Sequence, residues 1–485
     1  MAKPFYITTT LPYVNSIPHA GHALEYVQAD ILARYRALCG DEVFFTTGTA
    51  EHGIKIYRTA LEEKKDPQAY VDEYAAKFKE VVKKLNLYPD IHFIRTTDPH
   101  HKAAAQEFWR RCMAAGDIYK KNYEVKYCVG CELEKTDSEL QNGRCPIHPN
   151  LDLETIKEEN YFFRFSKYQV PLLDLYARRP DLVVPDYRFN EIRAFVAAGL
   201  QDFSVSRLKS KMPWGVPVPD DDEQVLFVWF DALINYISTL GWPEDTATFE
   251  KYWGIIPSPK ALQVAGKDNL RQQSAMWQAM LISADLPSTR QIVIHGFITS
   301  GGQKMSKSLG NVIDPYAIVE EYGTDALRLF LARHIHPFED SDFTMEKFKE
   351  SYNADLANGL GNLAARILTL AEANLTGNEV TPSHVEGVSS FPKEYSDALD
   401  SYDYNTAADY VWKLIGELDK ELTDTKPFSV VKEDPEKGRA MITSMIERLY
   451  HVARLLQPFM PATSDAIKQA ILTNKKPTNL FPRKE

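Results

Sequence analysis

Gly301-Gly302-Gln303-Lys304-Met305-Ser306-Lys307-Ser308-Leu309-Gly310-Asn311 is the stretch that decides how the rest of this chain is read. It follows Gln291-Ile292-Val293-Ile294-His295-Gly296-Phe297-Ile298, a β-branched run that predicts one strand. Paired glycines before the lysines and Gly310 after them let the backbone bend sharply. Lys304 and Lys307 are three residues apart, so on a tight turn both ammonium groups reach one anion. Alone, such a loop reads as solvated basic surface. A second stretch far upstream, Pro18-His19-Ala20-Gly21-His22, supplies what a phosphate-handling site still lacks.

Phe5 to Thr9 is a short β-prone run, broken by Leu11-Pro12-Tyr13. From His19 the chain turns amphipathic, with Leu24, Val27, Ile31, Tyr35 and Leu38 on one helical face and Gly40 as the stop. Val43 to Thr47 returns as a strand, giving a βαβ unit with two imidazoles at its helix N-terminus. Unpaired N–H groups and the helix dipole favour anions there. Gly21 leaves room for a ligand to approach the backbone.

In this chain order the two stretches resemble the "HIGH" and "KMSKS" signatures of class I aminoacyl-tRNA synthetases, here His-Ala-Gly-His and Lys-Met-Ser-Lys-Ser. The second signature is matched in full.

Composition sets the outer bounds. At 485 residues, with 44% hydrophobic and 25% charged residues, the chain has the composition of a globular protein of two to four domains. No signal peptide is visible, and the most apolar run, Val225 to Phe230, is far too short for a bilayer. Five cysteines in such a length do not make a disulfide scaffold. The expectation is a cytoplasmic enzyme without a membrane partner. A net charge of −11 argues against RNA binding by bulk electrostatics, so RNA contacts must use local patches and shape.

Cys128-x2-Cys131 and Cys145-x2-His148, thirteen residues apart, make two knuckles that can close a tetrahedral zinc site. One structural zinc per chain is expected, the alternative being a degenerate, metal-free knuckle. Four protein ligands leave no open position for catalysis. Cys39 and Cys112 lie in helical patterns and read as buried thiols. Helices are predicted for Ala69 to Leu85 and Pro99 to Ala115, and a nearly continuous one for Phe343 to Leu370. The last contains Gly359-Leu360-Gly361-Asn362-Leu363-Ala364, a G-x-G-x-x-A match that no strand precedes, so it fails as a dinucleotide site. A loop over about 375–392 and two or three further helices complete the chain.

The expected fold is α/β, a Rossmann-like parallel-sheet catalytic domain split by a zinc-knuckle insertion and followed by an all-α helical bundle. Its halves are 1–116 and 225–297. The insertion is 117–224, with the knuckle at about 124–150. Residues 298–345 carry the signature loop and stem-contact region, and 346–485 the bundle.

Over essentially the whole length the chain is similar to the methionyl-tRNA synthetase family, through the knuckle, Trp214-Gly215-Val216-Pro217-Val218-Pro219, Gly266-Lys267-Asp268 and Asn362-Leu363-Ala364-Ala365-Arg366. The resemblance implies activation of L-methionine by ATP with Mg²⁺, then transfer to tRNA(Met), including the initiator, by a monomer. It assigns His19, His22, Lys304 and Lys307 to catalysis, and these with Gly21, Asp231, Met305 and Ser306 to ATP. Arg207 is a further candidate for ATP or loop contacts. Methionine falls to the backbone of Leu11, and to Trp229, Ala232, Leu233, Tyr236 and Trp277, although without the family the aromatic residues read as core. Asn362, Arg366 and Phe428 match anticodon readers. Three positions depart from the family: Ala50 stands where an aspartate holds the substrate ammonium, and Gln272 and Gln273 where Phe-His is usual. A hypothesis from another class is a synthetase-like protein that charges no tRNA.

Overall fold

A computed structural model describes residues 2–15, 17–135, 137–305, 311–377 and 391–484. The chain divides into two compact units.

The first unit comprises 1–18, 42–80 and 90–295. Its centre is a six-stranded sheet in the order His92–Arg95, Glu42–Thr49, Pro4–Thr9, Leu262–Gly266, Gln291–His295, Val183–Val184. Every neighbouring pair is parallel. Such strands are covered on both faces, which explains runs like Ile292-Val293-Ile294 with no polar alternation. The strand order reverses between Pro4–Thr9 and Leu262–Gly266, and Leu11 follows the first of these at its carboxyl end. That crevice is where open α/β sheets take ligands. Val183–Val184, which lies within 117–224, forms the sheet's far edge. Other strands of that segment build a four-stranded antiparallel sheet, ordered Leu133–Lys135, Ile118–Cys128, Glu154–Phe163, Phe203–Ser204. The apolar run at Val225 divides between the strand Asp221–Leu226 and the helix Val228–Leu233.

The predicted strand 291–298 is two strands, Gln291–His295 and Ile298–Ser300. Gly296 separates them because its backbone lies against Glu339 and Asp340, where a Cβ would come within 2.2 Å of a carbonyl carbon.

The second unit comprises 19–41, 81–89 and 296–485. Its helix Ala20–Leu38 packs on Thr324–Arg333, and a buried ion pair joins them. The fully buried Arg328 donates to Asp30 at 2.6 Å and to the carbonyls of Leu85, Pro458 and Phe459 at 3.1, 2.8 and 2.9 Å. With four hydrogen bonds and a carboxylate partner the buried charge is tolerated, whereas deleting one partner would cost about 3–5 kcal/mol. Met345–Ser351, a π-helical Tyr352–Gly361 and Asn362–Asn374 run on without a break, and the G-x-G-x-x-A match lies inside them.

Five helices follow among the described residues, not two or three: Lys393–Asp400, Tyr404–Thr425, Pro427–Glu433, Pro435–Leu456 and Pro461–Thr473. Prolines at first helical positions and the left-handed Lys426 cut what periodicity alone runs together. Most of the predicted loop, 378–390, lies outside the described residues. Cys112 is buried as expected, but Cys39 is exposed, since the helix ends there and turns it out. No described helix is long and apolar enough to cross a membrane.

Candidate active site

In the second unit His19 caps its own helix. Its Nδ1 accepts from the Gly21 N–H at 3.1 Å, and the His19 N–H donates to His22 Nδ1 at 3.2 Å. Both rings therefore accept on Nδ1, and each neutral imidazole carries its proton on Nε2. They stack at 3.9 Å. Burial, then the neighbouring His19, pushes His22 well below the ordinary histidine range, so it acts as a neutral N–H donor. A Cβ on Gly21 would meet His19 Cε1 at 2.9 Å, which requires glycine there, and Met305 Cε lies 4.0 Å from the same point.

The signature segment begins as a hairpin. Ile298–Ser300 pairs with Gln303–Lys304 across Gly301-Gly302, both at positive φ (62° and 72°), as a tight two-residue turn demands. Asp342 holds that turn by accepting from Gly302 N at 2.8 Å and from Thr299 Oγ1 at 3.1 Å. Just past the loop, the Ile313 carbonyl accepts from Ala20 N at 3.1 Å, so the two signatures are tied through backbone. Ser306 and Lys307 lie outside the described residues, and of Lys304 the backbone pairing alone is described.

In the first unit, Trp229 is half-buried with its ring 6.2 Å from Tyr13, while Ala232, Leu233, Tyr236 and Trp277 are buried. Tyr236 and Trp277 lie 6.0 Å apart, and Trp277 stacks on Phe108 at 5.6 Å. Ala50 is buried and bridges the strand end to Tyr13. The adjacent Glu51 is fully engaged elsewhere: Arg95 donates at 2.6 and 2.8 Å, Thr49 at 2.6 Å, and Thr97 also donates. Asp231 is buried with His52 Nδ1 at 2.7 Å on one oxygen and His101 Nε2 at 3.0 Å on the other. Burial alone would raise its pKa; the two histidines outweigh that and hold it below the usual carboxylate range. Arg207 is buried under Phe227, donating to Ser204 Oγ and the Ser206 carbonyl at 2.6 and 2.8 Å. The sequence places His52 in the Gly48-Thr49-Ala50-Glu51-His52-Gly53 turn and His101 in a Pro-His-His helix start, but no spacing links either to Asp231, so sequence reading does not pair them with it.

Cys128, Cys131, Cys145 and His148 converge, all donor atoms within 4.8 Å of one another. Three of the six separations, 3.2, 3.5 and 3.8 Å, lie near the edges of about 3.8 Å that Zn–S bonds of ~2.3 Å produce in a tetrahedron. Gly130 has no room for a Cβ, which would lie 2.6 Å from the His148 ring. The four residues fit zinc. The knuckle is also locked to the Ala50 loop. The buried Glu132 accepts from Lys55 N at 3.0 Å and fills the space beside Gly53, whose φ is 120°. Tyr127, Phe227 and Val228 form a small core with Tyr13, Ile54 and Trp229.

In the bundle Asn362 is exposed, Arg366 pairs with Asp419 at 2.6 Å, and Phe428 is 43% exposed at the start of its helix.

A profile described as "tRNA synthetases class I (M)" matches residues 5–152 and 131–368, and one described as "Anticodon-binding domain of tRNA ligase" matches 386–484. The fold and its paired signatures are thus those of a class I aminoacyl-tRNA synthetase. Methionine–tRNA ligase of Thermotoga maritima is 41% identical over 98% of this chain and 76% of its own length. That of Thermosynechococcus vestitus is 42% identical, over 96% and 90%. The Mycobacterium tuberculosis methionyl-tRNA synthetase in complex with methionyl-adenylate superposes with a TM-score of 0.89 at 34% identity, covering 99% of this chain and 100% of that one. Its apo form gives 0.82 at 31% identity, covering 100% and 99%. The chain belongs to the methionyl-tRNA synthetase family.

Proposed function

We infer that this chain is a methionine–tRNA ligase, which joins methionine to AMP with loss of pyrophosphate and then passes the methionyl group to the terminal ribose of tRNA(Met), initiator included. The observation that carries the reading is the neutral, backbone-locked His19–His22 pair tied through Ala20 and Ile313 to the signature segment. The methionine carboxylate attacks the α-phosphorus, and negative charge builds on phosphate oxygens. Fixed donors and cations aimed at that charge lower the barrier without reorganisation. His19 and His22 serve the α-phosphate and ribose, with Gly21 leaving the approach open, while Met305 and Ser306 line the nucleotide. Lys307, assisted by Lys304, serves the β- and γ-phosphates, and Mg²⁺ accompanies the nucleotide. Asp231, hydrogen-bonded to His52 and His101, serves ATP. Leu11, Trp229, Ala232, Leu233, Tyr236 and Trp277 hold methionine. Asn362, Arg366 and Phe428 read the anticodon; Phe428 is already exposed for stacking on a base. Cys128, Cys131, Cys145 and His148 would hold one structural zinc, whose contribution is to keep the knuckle closed. Residues 1–116 and 225–297 form the catalytic halves, 117–224 the insertion, 298–345 the stem-contact region and 346–485 the anticodon bundle. We place the enzyme in the cytoplasm as a monomer.

ATP–pyrophosphate exchange measured with each amino acid in turn is the test. Exchange that depends on methionine is expected, and its absence would overturn the reading.

A further inference from the structure

The signature hairpin leans on the segment 336–343, which follows helix Thr324–Arg333 in the same unit. Ser341–Asp342 pairs in parallel with Ile298–Ser300, the hairpin's first strand. Ser341 N donates to the Phe297 carbonyl at 3.0 Å and Phe343 N to that of Thr299 at 2.9 Å. In the other direction Phe297 N donates to Asp340 Oδ1 at 2.9 Å, and Asp342 takes the Gly302 N–H at the hairpin's tip. Gly296 lies against the Glu339 backbone with no room for a Cβ. The placement of 339–342 therefore sets the placement of the hairpin.

One imidazole closes that segment on itself. His336 Nδ1 accepts from the N–H groups of Phe338 and Glu339 at 3.1 and 3.0 Å, and the His336 N–H donates to Ser341 Oγ at 2.9 Å. Nδ1 is bonded to Cγ as the Oδ1 of asparagine is, so the ring makes the turn that Asn or Asp ordinarily makes with the backbone two and three residues on. Pro337 fixes the φ between them. An asparagine holds such a turn at every pH, but a histidine holds it only while Nδ1 carries no proton. An imidazolium would set its own N–H against two N–H donors. The ring is exposed, so protons reach it freely.

We propose that His336 is a positioning residue for the signature hairpin: its neutral ring closes the segment that braces the hairpin, and protonation releases both. The proposal rests on the reading of that hairpin as the carrier of the phosphate-binding lysines. Glu339 and Asp340 are the charged groups on the turn itself, and His334, 2.7 Å from Asp355, precedes it. From helix Met345–Ser351, Lys347 lies 3.7 Å from Asp342. Helix Ala20–Leu38 contributes the uncharged Gln28, donating to the Pro337 carbonyl at 3.5 Å, and the hairpin strand contributes Thr299. The Gly302 N–H holds Asp342 below the ordinary carboxylate range, so it stays ionised near pH 6.5, about where imidazoles titrate.

The test is methionine-dependent ATP–pyrophosphate exchange between pH 5.5 and 8, read as kcat/KM for ATP in wild type, His336→Asn and His336→Leu. Asparagine keeps the acceptor and takes no proton, whereas leucine removes the acceptor. Dividing the wild-type profile by that of His336→Asn cancels the titrations they share, those of His19, His22 and His334 included. The quotient should be near one at pH 8 and fall roughly 3- to 30-fold toward pH 5.5, the worth of one to two hydrogen bonds. His336→Leu should lie below His336→Asn by a similar factor at every pH, with KM for methionine unchanged. A flat quotient, a leucine variant equal to the asparagine one, or a matching loss in methionine KM would each overturn the proposal. Amide hydrogen exchange at Phe338, Glu339 and Gly302 reads the brace without catalysis: protection should persist in His336→Asn and be lost in His336→Leu, and equal protection in the two would also overturn it. Failure of the proposed function looks different. The wild type then shows no methionine-dependent turnover, and the three amides alone decide whether His336 braces the hairpin.

Discussion

The parts that we assign to phosphate and those that we assign to methionine are built with different chemistry. In the second unit, His19 and His22 form a stacked, backbone-anchored pair, and the signature lysines follow a Gly-Gly hairpin braced by Asp342. In the first unit, the polar groups around Tyr236 are amides and a threonine hydroxyl, and the charged groups Glu51 and Asp231 are consumed by Arg95, His52 and His101. The difference follows from what changes during the reaction. Charge grows on phosphate, so groups that answer charge raise turnover. Nothing changes at the methionine side chain, so on the proposed assignment neutral groups there would serve affinity.

The harshest way to break this contrast is Lys307→Ala. Removing a cation from developing phosphate charge should lower the rate of adenylate formation by roughly 100- to 1,000-fold, with methionine affinity nearly unchanged. Pre-steady-state adenylate formation with separate methionine titration reads both. Loss of affinity with turnover intact would place the lysine on the wrong side of the comparison.

Ala50→Asp attacks from the other side by adding a charge to the methionine-handling region. Glu51 is held by Arg95, Thr97 and Thr49, so it does not stand in for the missing carboxylate. On the proposed assignment the Leu11 carbonyl and water would then bear more of the substrate ammonium. A charge-assisted hydrogen bond contributes ~1.5–3 kcal/mol, so KM for methionine should fall roughly 10- to 100-fold while kcat moves less. An unchanged or raised KM would show that the pocket already anchors the ammonium fully.

The two sides were not equally legible in the amino-acid sequence. The signatures, the parallel strands and the zinc ligands are local patterns: a strand pays out β-branched residues consecutively, and a knuckle needs fixed spacing. Gln263, Gln273, Gln278 and Thr289 around Tyr236 come from a strand, a π-turn, a helix and a loop, and no spacing links them. Their signal is chemical and weak, polar amides scattered among elements that are otherwise buried. The same reason hid His52 and His101 behind Asp231. Gly296 escaped because its constraint is tertiary, the backbone of Glu339 and Asp340 pressing on a position that otherwise continues a strand. The five bundle helices were under-counted since a left-handed Lys426 before Pro427 leaves the apolar period almost undisturbed.

A milder perturbation acts on the methionine-handling side alone. Cys145→Ser should lose the zinc, measured as close to one equivalent in the wild type. The knuckle would loosen and Glu132 would release the Lys55 amide beside Gly53. Losing that hydrogen bond to a carboxylate predicts a KM for methionine about 10-fold higher, with the melting temperature lowered less than a core defect would lower it. Glu132→Gln, which keeps the zinc, should reproduce the KM effect in part. Wild type free of zinc, or normal methionine affinity in Cys145→Ser, would separate knuckle from pocket.

The smallest expected effect sharpens what kind of donor the phosphate side uses. His22 is half-buried and lies beside His19, and both facts disfavour its charged form. In the unfolded chain a histidine titrates at about 6.5. Below that pH the unfolded state binds a proton that folded His22 refuses, so stability is fully present above about 6.5 and is lost as pH falls toward the depressed folded value. One such group costs about 1.4 kcal/mol per pH unit over that interval. His92 and His451 are also depressed by burial and contribute slopes of their own, so the wild-type curve alone does not isolate His22. The difference between wild type and His22→Asn does, since that variant removes one titrating group and leaves the other two. Urea midpoints between pH 7 and 5 should fall less steeply in the variant, by about one proton. Parallel slopes would mean that His22 is protonated in the folded protein and meets phosphate as a cation, and the contrast between neutral donors on the helix cap and cations on the loop would then be lost.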